Sequence, residues 1–213
     1  MSDSYTIITC VPNGGTSTRC YKGNATVQPP GSGESLSPLA EFSATEYTYA
    51  SVKDANEVFS SATATGQHPG IQMEFYVPDA IQGNAFTGVA AYFRGRGQTD
   101  LGDGWKVYLK NFNSGLWVLN GTCISNTATD IFGSEITTHP EYYIDSNHRV
   151  WIMAETTYAC SDPGSDTESY QTIDVADVTL WYPSAPSGSG TPLIGPGALM
   201  GGTLIGTGRL IRS

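Results

Sequence analysis

From Gly70 to Trp181 apolar and polar residues alternate in short runs, each closed by glycine, asparagine, proline or aspartate. Ile71, Met73, Phe75 and Val77 alternate with Gln72, Glu74 and Tyr76, and Trp105, Val107 and Leu109 alternate with Lys106, Tyr108 and Lys110. A period of two places successive side chains on opposite faces, so each run has one dry and one wet face. Repeated along the chain, this pattern predicts an all-β protein, an antiparallel jelly-roll β sandwich. The expected strands are Ile71 to Val77, Thr87 to Arg94, Trp105 to Lys110, Leu116 to Asn120, Arg149 to Thr156 and Tyr170 to Tyr182. In the last of these the inward parity changes from Ile173 and Val175 to Val178 and Leu180, and a bulge near Ala176 and Asp177 would absorb the shift. The run Ala44 to Phe59 lacks the continuous apolar stripe of a core helix, so strands are expected at Tyr47 to Val52 and Glu57 to Ala62.

The ends differ from this body. Tyr5 to Thr9 and Thr18 to Tyr21 flank an Asn13-Gly14-Gly15 step and predict an N-terminal hairpin. The stretch Gln28 to Gly33, rich in proline and glycine, breaks the chain, and Pro183 to Gly190 has the composition of a linker. Beyond it LIGPGAL from Leu193 and LIGTGRL from Leu204 repeat at a spacing of 11. Their glycines oppose a helix, and so many aliphatic residues need an apolar surface. The expected plan is a hairpin arm and linker over 1–33, the sandwich over 34–183 and an assembly tail over 184–213. Leu193, Ile194, Leu199, Leu204, Ile205, Arg209, Leu210, Ile211 and Arg212 are its candidate contact residues.

Charge narrows the choice of partner. The chain of 213 residues has a formal charge of -10, and its last 30 residues hold two arginines and no acid. The rest carries eight bases against twenty acids, a formal -12. Such a field repels phosphate backbones, so nucleic acid is not an expected partner, and a cationic arm on an anionic body suits self-assembly. No uninterrupted apolar run reaches about 18 residues, and no membrane span is expected. The first residues show no basic and apolar signal pattern, so synthesis without a secretory leader is expected. Four cysteines lack C-x-x-C spacing and nearby histidines, which argues against zinc. Two disulfides formed after release into an oxidising medium are expected. Cys10 with Cys20 would bracket a turn, and Cys123 with Cys160 would join two strand ends; buried thiols and intermolecular bridges are the alternatives.

The strings GIQMEFYVP, GVAAYFRG, GWKVYLKNFNSGLWVLNG, HRVWIMAE and YQTIDVADVTLWY resemble, in order and type, the strands of concanavalin A-like lectin/glucanase and laminin-G-like jelly rolls. The resemblance spans about half the chain, Gly70 to Tyr182, and implies the fold. Members that hydrolyse β-glucans carry E-x-D-x-x-E on one strand, which sets a nucleophile and an acid on one face. That string is absent, and Glu74, Glu135, Glu141, Glu155 and Glu168 stand apart, so the resemblance implies no hydrolase and no catalytic residue is assigned.

Many such jelly rolls pin a loop with calcium. The best set of hard oxygen donors is Asp162, Asp166, Asp174 and Asp177, although the D-x-D-x-D spacing of a calcium loop is missing and solvated loop acids are the simpler reading. No organic cofactor is expected. Tyr92, Tyr108, Trp117 and Trp151 are candidates for a sugar platform, where ring faces stack on the apolar faces of sugars; the competing reading is that they fill a core. His68, His139 and His148 are isolated, no G-x-S-x-G is present, and Arg94 and Arg96 read as loop salt-bridge donors rather than a phosphate cradle. The sequons at Asn24 and Asn120 have no force without a secretory route.

A leaderless acidic sandwich with extended arms resembles, in plan, the decoration proteins of tailed-phage virions. The expected function is thus a non-enzymatic virion structural protein, located in the virion and extracellular, whose partners are itself and other virion proteins. A carbohydrate-binding module or receptor-binding adhesin is the alternative, with a glycan as partner, and a secreted glycan-active enzyme is third.

Overall fold

The computed structural model describes the backbone of residues 2–8 and, with side chains, residues 19–28, 36–37, 39–50, 53, 56–163 and 169–183. In chain order the strands are β1 Ser2–Ile8, β2 Arg19–Ala25, β3 Ala40–Glu41, β4 Val58–Ser61, β5 His68–Tyr76, β6 Gly88–Gly95 and β7 Gly97–Thr99. They continue with β8 Gly102–Asp103, β9 Trp105–Lys110, β10 Trp117–Cys123, β11 Thr129–Phe132, β12 Arg149–Thr156, β13 Tyr170–Ile173 and β14 Val175–Pro183. Two short helices, α1 Ala44–Tyr49 and α2 Asp79–Gln82, and a 3-10 turn at Pro140–Tyr143 interrupt them.

All strand pairs are antiparallel and form three sheets. The first has the order β1-β14-β6-β11, the second β10-β9-β12-β5-β2-β3, and the third, smaller one β4-β13-β7-β8. The first two face each other as a β sandwich. Ile71, Met73, Phe75, Val107, Leu109 and Ile152 of the second sheet meet Val89, Phe93, Val178 and Leu180 of the first, and all of them are fully buried. Each such side chain contributes roughly 1.5 to 3 kcal/mol when removed from water, which is why the alternation dominates the fold.

Four expectations are corrected. The N-terminal hairpin does not form: β1 pairs along its whole length with β14, Ser2 opposite Pro183 and Ile8 opposite Asp177, while β2 pairs with β5 and β3 in the other sheet. The two strands serve opposite layers because each completes an otherwise open β edge, which binds more backbone hydrogen bonds than a hairpin isolated from the core. Tyr47 to Val52 is not a strand; its described part lies in or directly after α1, while residues 51–52 lie outside the described residues. The helix is set by a capping box, with Ser43 Oγ accepting from the Glu46 amide and the Glu46 carboxylate accepting from the Ser43 amide at 2.8 Å.

The expected bulge at Ala176 is a change of sheet. Tyr170 to Ile173 pairs with β4 and β7, whereas Val175 onward pairs with β6 and β1, and the break falls at Asp174. β6 and β7 turn the same corner at Gly95 and Arg96, where a Cβ on Gly95 would stand 2.2 Å from the Thr172 carbonyl oxygen. Arg94 and Arg96 tie the corner down as salt-bridge donors. Arg94 Nε donates to Asp174 at 2.9 Å, and Arg96 reaches Glu57 at 2.8 Å.

Finally, the second sheet has no fully wet face. Its outward residues Tyr108 and Met153, with Trp117, are buried under Ala25 and Leu36 in a second apolar cluster, against which Trp151 packs. Leu36 seats on Gly70, where a Cβ would come within 2.8 Å of its side chain.

Candidate functional site

Outward-facing residues of three adjacent strands build a cleft of about 480 Å3 on the second sheet. The register sets Arg19 of β2 beside Glu74 of β5, Glu74 beside Trp151 of β12, and Tyr76 beside Arg149. The turn before β12 closes the cleft with Asp145 and Asn147. Period-two alternation brings these side chains to one face, and strand spacing brings them within reach of one ligand.

Asp145 is the organising residue. One carboxylate oxygen accepts from the Asn147 and Arg149 amides, both at 2.8 Å, and the other accepts from the Trp151 indole N–H at 3.2 Å. The turn is tight enough to hold His148 at φ 58°, in the left-handed region. Trp151 is further fixed edge-to-face by Phe112, with ring centroids 5.4 Å apart. Arg149 donates to the Glu74 carbonyl oxygen at 3.2 Å and lies over the Tyr76 ring at 5.8 Å. Burial pushes the Glu74 carboxyl above the usual range, and the Arg149 and Arg19 charges pull it back. The Tyr76 hydroxyl donates to Asp79 at 2.6 Å and accepts from Gln82 at 3.0 Å. A half-buried indole of fixed orientation beside planar hydrogen-bonding groups can stack on a sugar and bind its hydroxyls. Asp145, across the cleft, adds its negative charge to the rise of the Glu74 carboxyl.

Further along the same face, Glu155 is fully buried opposite Lys106. Tyr108, Gln28 and Lys106 surround its carboxyl, and burial pushes its pKa up to about 8. Lys106 donates to the Gln28 side chain at 2.8 Å.

The four aromatic residues expected to form one platform are divided. Trp151 lines the cleft, Tyr108 and Trp117 are buried in the second cluster at 3% and 4% exposure, and Tyr92 lies on the outer face of the opposite sheet. The Trp117 ring is covered by the Lys110 ammonium at 5.0 Å. Nor do the aspartates converge. Asp174 is buried against Arg94, Asp177 faces outward on β14, the Asp162 amide donates to Asp100, and Asp166 lies outside the described residues. Among the described residues no three His, Cys, Asp or Glu side chains gather as a metal site.

The Cys123–Cys160 bridge is absent, and both residues are thiols. Cys123 pairs across β9 with Trp105, which pairs in turn with Thr156, so two strand spacings of about 4.8 Å separate Cys123 from the chain leading to Cys160. Cys10, and with it the Cys10–Cys20 pairing, lies outside the described residues, as do all the candidate contact residues of the tail. The sequon asparagines are buried, Asn24 at 5% and Asn120 at 6% exposure.

Sequence reasoning missed Arg19, Glu74, Tyr76, Asp145, Asn147 and Arg149. A signal existed: Glu74 and Tyr76, and Arg149 and Trp151, each share outward parity two residues apart. Their convergence depends on β5 lying next to β12, a pairing of strands far apart in sequence. No protein-family model, curated protein or solved structure matches the chain.

Proposed function

We propose that this protein is a non-enzymatic carbohydrate-binding module that takes a neutral glycan end or short oligosaccharide in the cleft on its second sheet. The supporting observation is the Trp151 indole, oriented by Asp145 and Phe112, beside Glu74, Asn147, Arg19 and Arg149 in a cleft of about 480 Å3. That combination of one stacking ring and several planar polar groups suits a polyhydroxyl ligand better than an apolar or phosphorylated one. The concanavalin A-like resemblance of the strand strings points the same way. The test is retention of the full chain on a glycan array, followed by calorimetry on the best ligand. Trp151→Ala should weaken binding at least about tenfold, the scale of a lost aromatic anchor. Asn147→Ala, on the exposed turn, should weaken it without affecting folding. Unchanged affinity in both variants, or no glycan bound at millimolar concentration, overturns the reading. Incubation with a β-glucan panel should release no sugar.

The second reading, a virion structural protein that decorates or cements a capsid or tail, is supported by the acid-free tail with its LIGxGxL repeats. It requires particle association that only denaturant reverses.

A further inference from the structure

The outer face of the first sheet carries a second recess, of about 460 Å3 and different in make-up. Antiparallel register lays it out in rows, with Tyr92 opposite Asp177, Ala90 opposite Thr179 and Gly88 opposite Trp181. The small residues Ala90 and Thr179 form the floor. Tyr92 and Phe132, with ring centroids 5.0 Å apart, form one wall. Trp181 forms the other, four residues further along the strands and so roughly 13 Å away. Side-chain bonds hold the first wall in place. The Tyr92 hydroxyl donates to Asp130 at 2.6 Å, and Asp130 also receives Lys53 at 3.0 Å and Arg94 at 3.3 Å. Lys53 and Asp177 bring charges of both signs into the recess, and the Glu135 carboxylate fills the place that a side chain on Gly88 would take beside Trp181.

We infer that this recess is a second glycan site, for a neutral oligosaccharide that reaches from the wall of Tyr92 and Phe132 to Trp181. The mixture of groups selects that class of ligand. Rings at both ends suit the apolar faces of sugars, and Thr179, Asp177 and Lys53 offer donors and acceptors to hydroxyl groups. Lys53 opposes a cationic ligand, while Asp177 and Glu135 oppose an anionic one. A purely aliphatic segment would strip water from these charged groups and give nothing back, a loss that offsets what the rings gain. The distance between the walls calls for more than one sugar ring. The ligand class rests on the glycan reading proposed for the first cleft, but the residues are separate, since the cleft that holds Trp151 lies on the opposite sheet. One short oligosaccharide cannot fill sites on two opposite outer faces, so each chain joins two glycan strands.

The test titrates the full chain by calorimetry with cellohexaose, mannohexaose, maltohexaose and chitohexaose. The best of these should bind in two equivalents. Phe132→Ser, which alters only an exposed ring, and Ala90→Trp, which fills the floor, should each weaken one equivalent at least about tenfold, the scale of a lost aromatic anchor. Both variants should keep the equivalent that Trp151→Ala weakens. Thermal unfolding of the Phe132→Ser chain confirms that its fold is intact. A single equivalent that responds only to Trp151→Ala overturns this inference and leaves the first cleft standing. A single equivalent that responds only to Phe132→Ser and Ala90→Trp supports it and overturns the first cleft. Two equivalents that Phe132→Ser and Ala90→Trp leave unchanged, or no binding of any of these sugars, overturn it. So does self-association of the full chain that Phe132→Ser weakens in light scattering, because a second copy is then the occupant.

Discussion

Single residues carry two of the sharpest consequences. Glu155 is buried among Tyr108, Gln28 and Lys106 and its pKa is raised to about 8 from an ordinary 4.5. The folded state therefore binds more protons than the unfolded one between those values, so stability falls as pH rises through that window, by up to about 1.4 kcal/mol per unit. Glu155→Gln should flatten the dependence and leave the variant more stable than wild type above pH ~8, as read by urea denaturation across the range; an unchanged slope would show that another group titrates. Asn120 joins the layers: its side chain accepts from the Ala91 amide at 3.0 Å and donates to the Ser134 carbonyl oxygen at 2.7 Å. A Cβ on Gly133 would meet its oxygen at 1.7 Å, so that position tolerates no side chain without displacing the amide. Asn120→Ala leaves a buried amide unsatisfied and should cost about 1 to 3 kcal/mol in denaturant unfolding. Burial and engagement in the same bonds also predict no glycan on Asn120 even when the chain is secreted, which intact-mass measurement would reveal.

Among elements, β1 and the corner at Asp174 matter most. β1 supplies the outer edge of the first sheet and covers the β14 backbone from Asp177 to Pro183. Removing residues 1–8 would expose that edge as a template for intermolecular pairing. The truncated chain should unfold at lower temperature and aggregate on standing; retention of the wild-type melting temperature would show that β1 contributes little. The strands with clear alternation were legible beforehand. Arg149 to Thr156 and Trp105 to Lys110 were expected with the bounds that β12 and β9 have, because burial in the main core enforces the period. The missed elements lie where local sequence competes with tertiary context. α1 is six residues long, too short to show a stripe, and its capping box was the readable sign. β7, β8 and β11 have two to four residues each, below the length at which alternation is informative. β1 and β2 were joined because a turn lies between them, whereas each had a better partner elsewhere.

At the scale of the whole molecule, the two outer faces differ in chemistry. The second sheet presents a polar cleft with one oriented indole, and the first presents an aromatic slot with a small floor. Thiol chemistry offers a check on the packing that links them. Cys123, partly exposed at the end of β10, should react with a thiol reagent in the native protein, while Cys160 should react only on unfolding. Equal rates for both would contradict the burial of Cys160. Because these two residues are not bridged, a reductant should not release any constraint between β10 and the loop after β12.

The sequence by itself determined the fold class and the main core, because alternation at period two is a local pattern that translates directly into one buried face per strand. It also determined the acidic charge balance and the absence of a paired-carboxylate string. Tertiary structure alone decided which strands became neighbours, and hence every property that depends on proximity. It separated Tyr92 from Trp151, buried Tyr108 and Trp117, and parted Cys123 from Cys160. It also assembled Arg19, Glu74, Asp145 and Trp151 from positions up to 132 residues apart. Strand pairing over such separations is chosen by the summed burial and hydrogen bonding of whole sheets, and no window of sequence contains that sum.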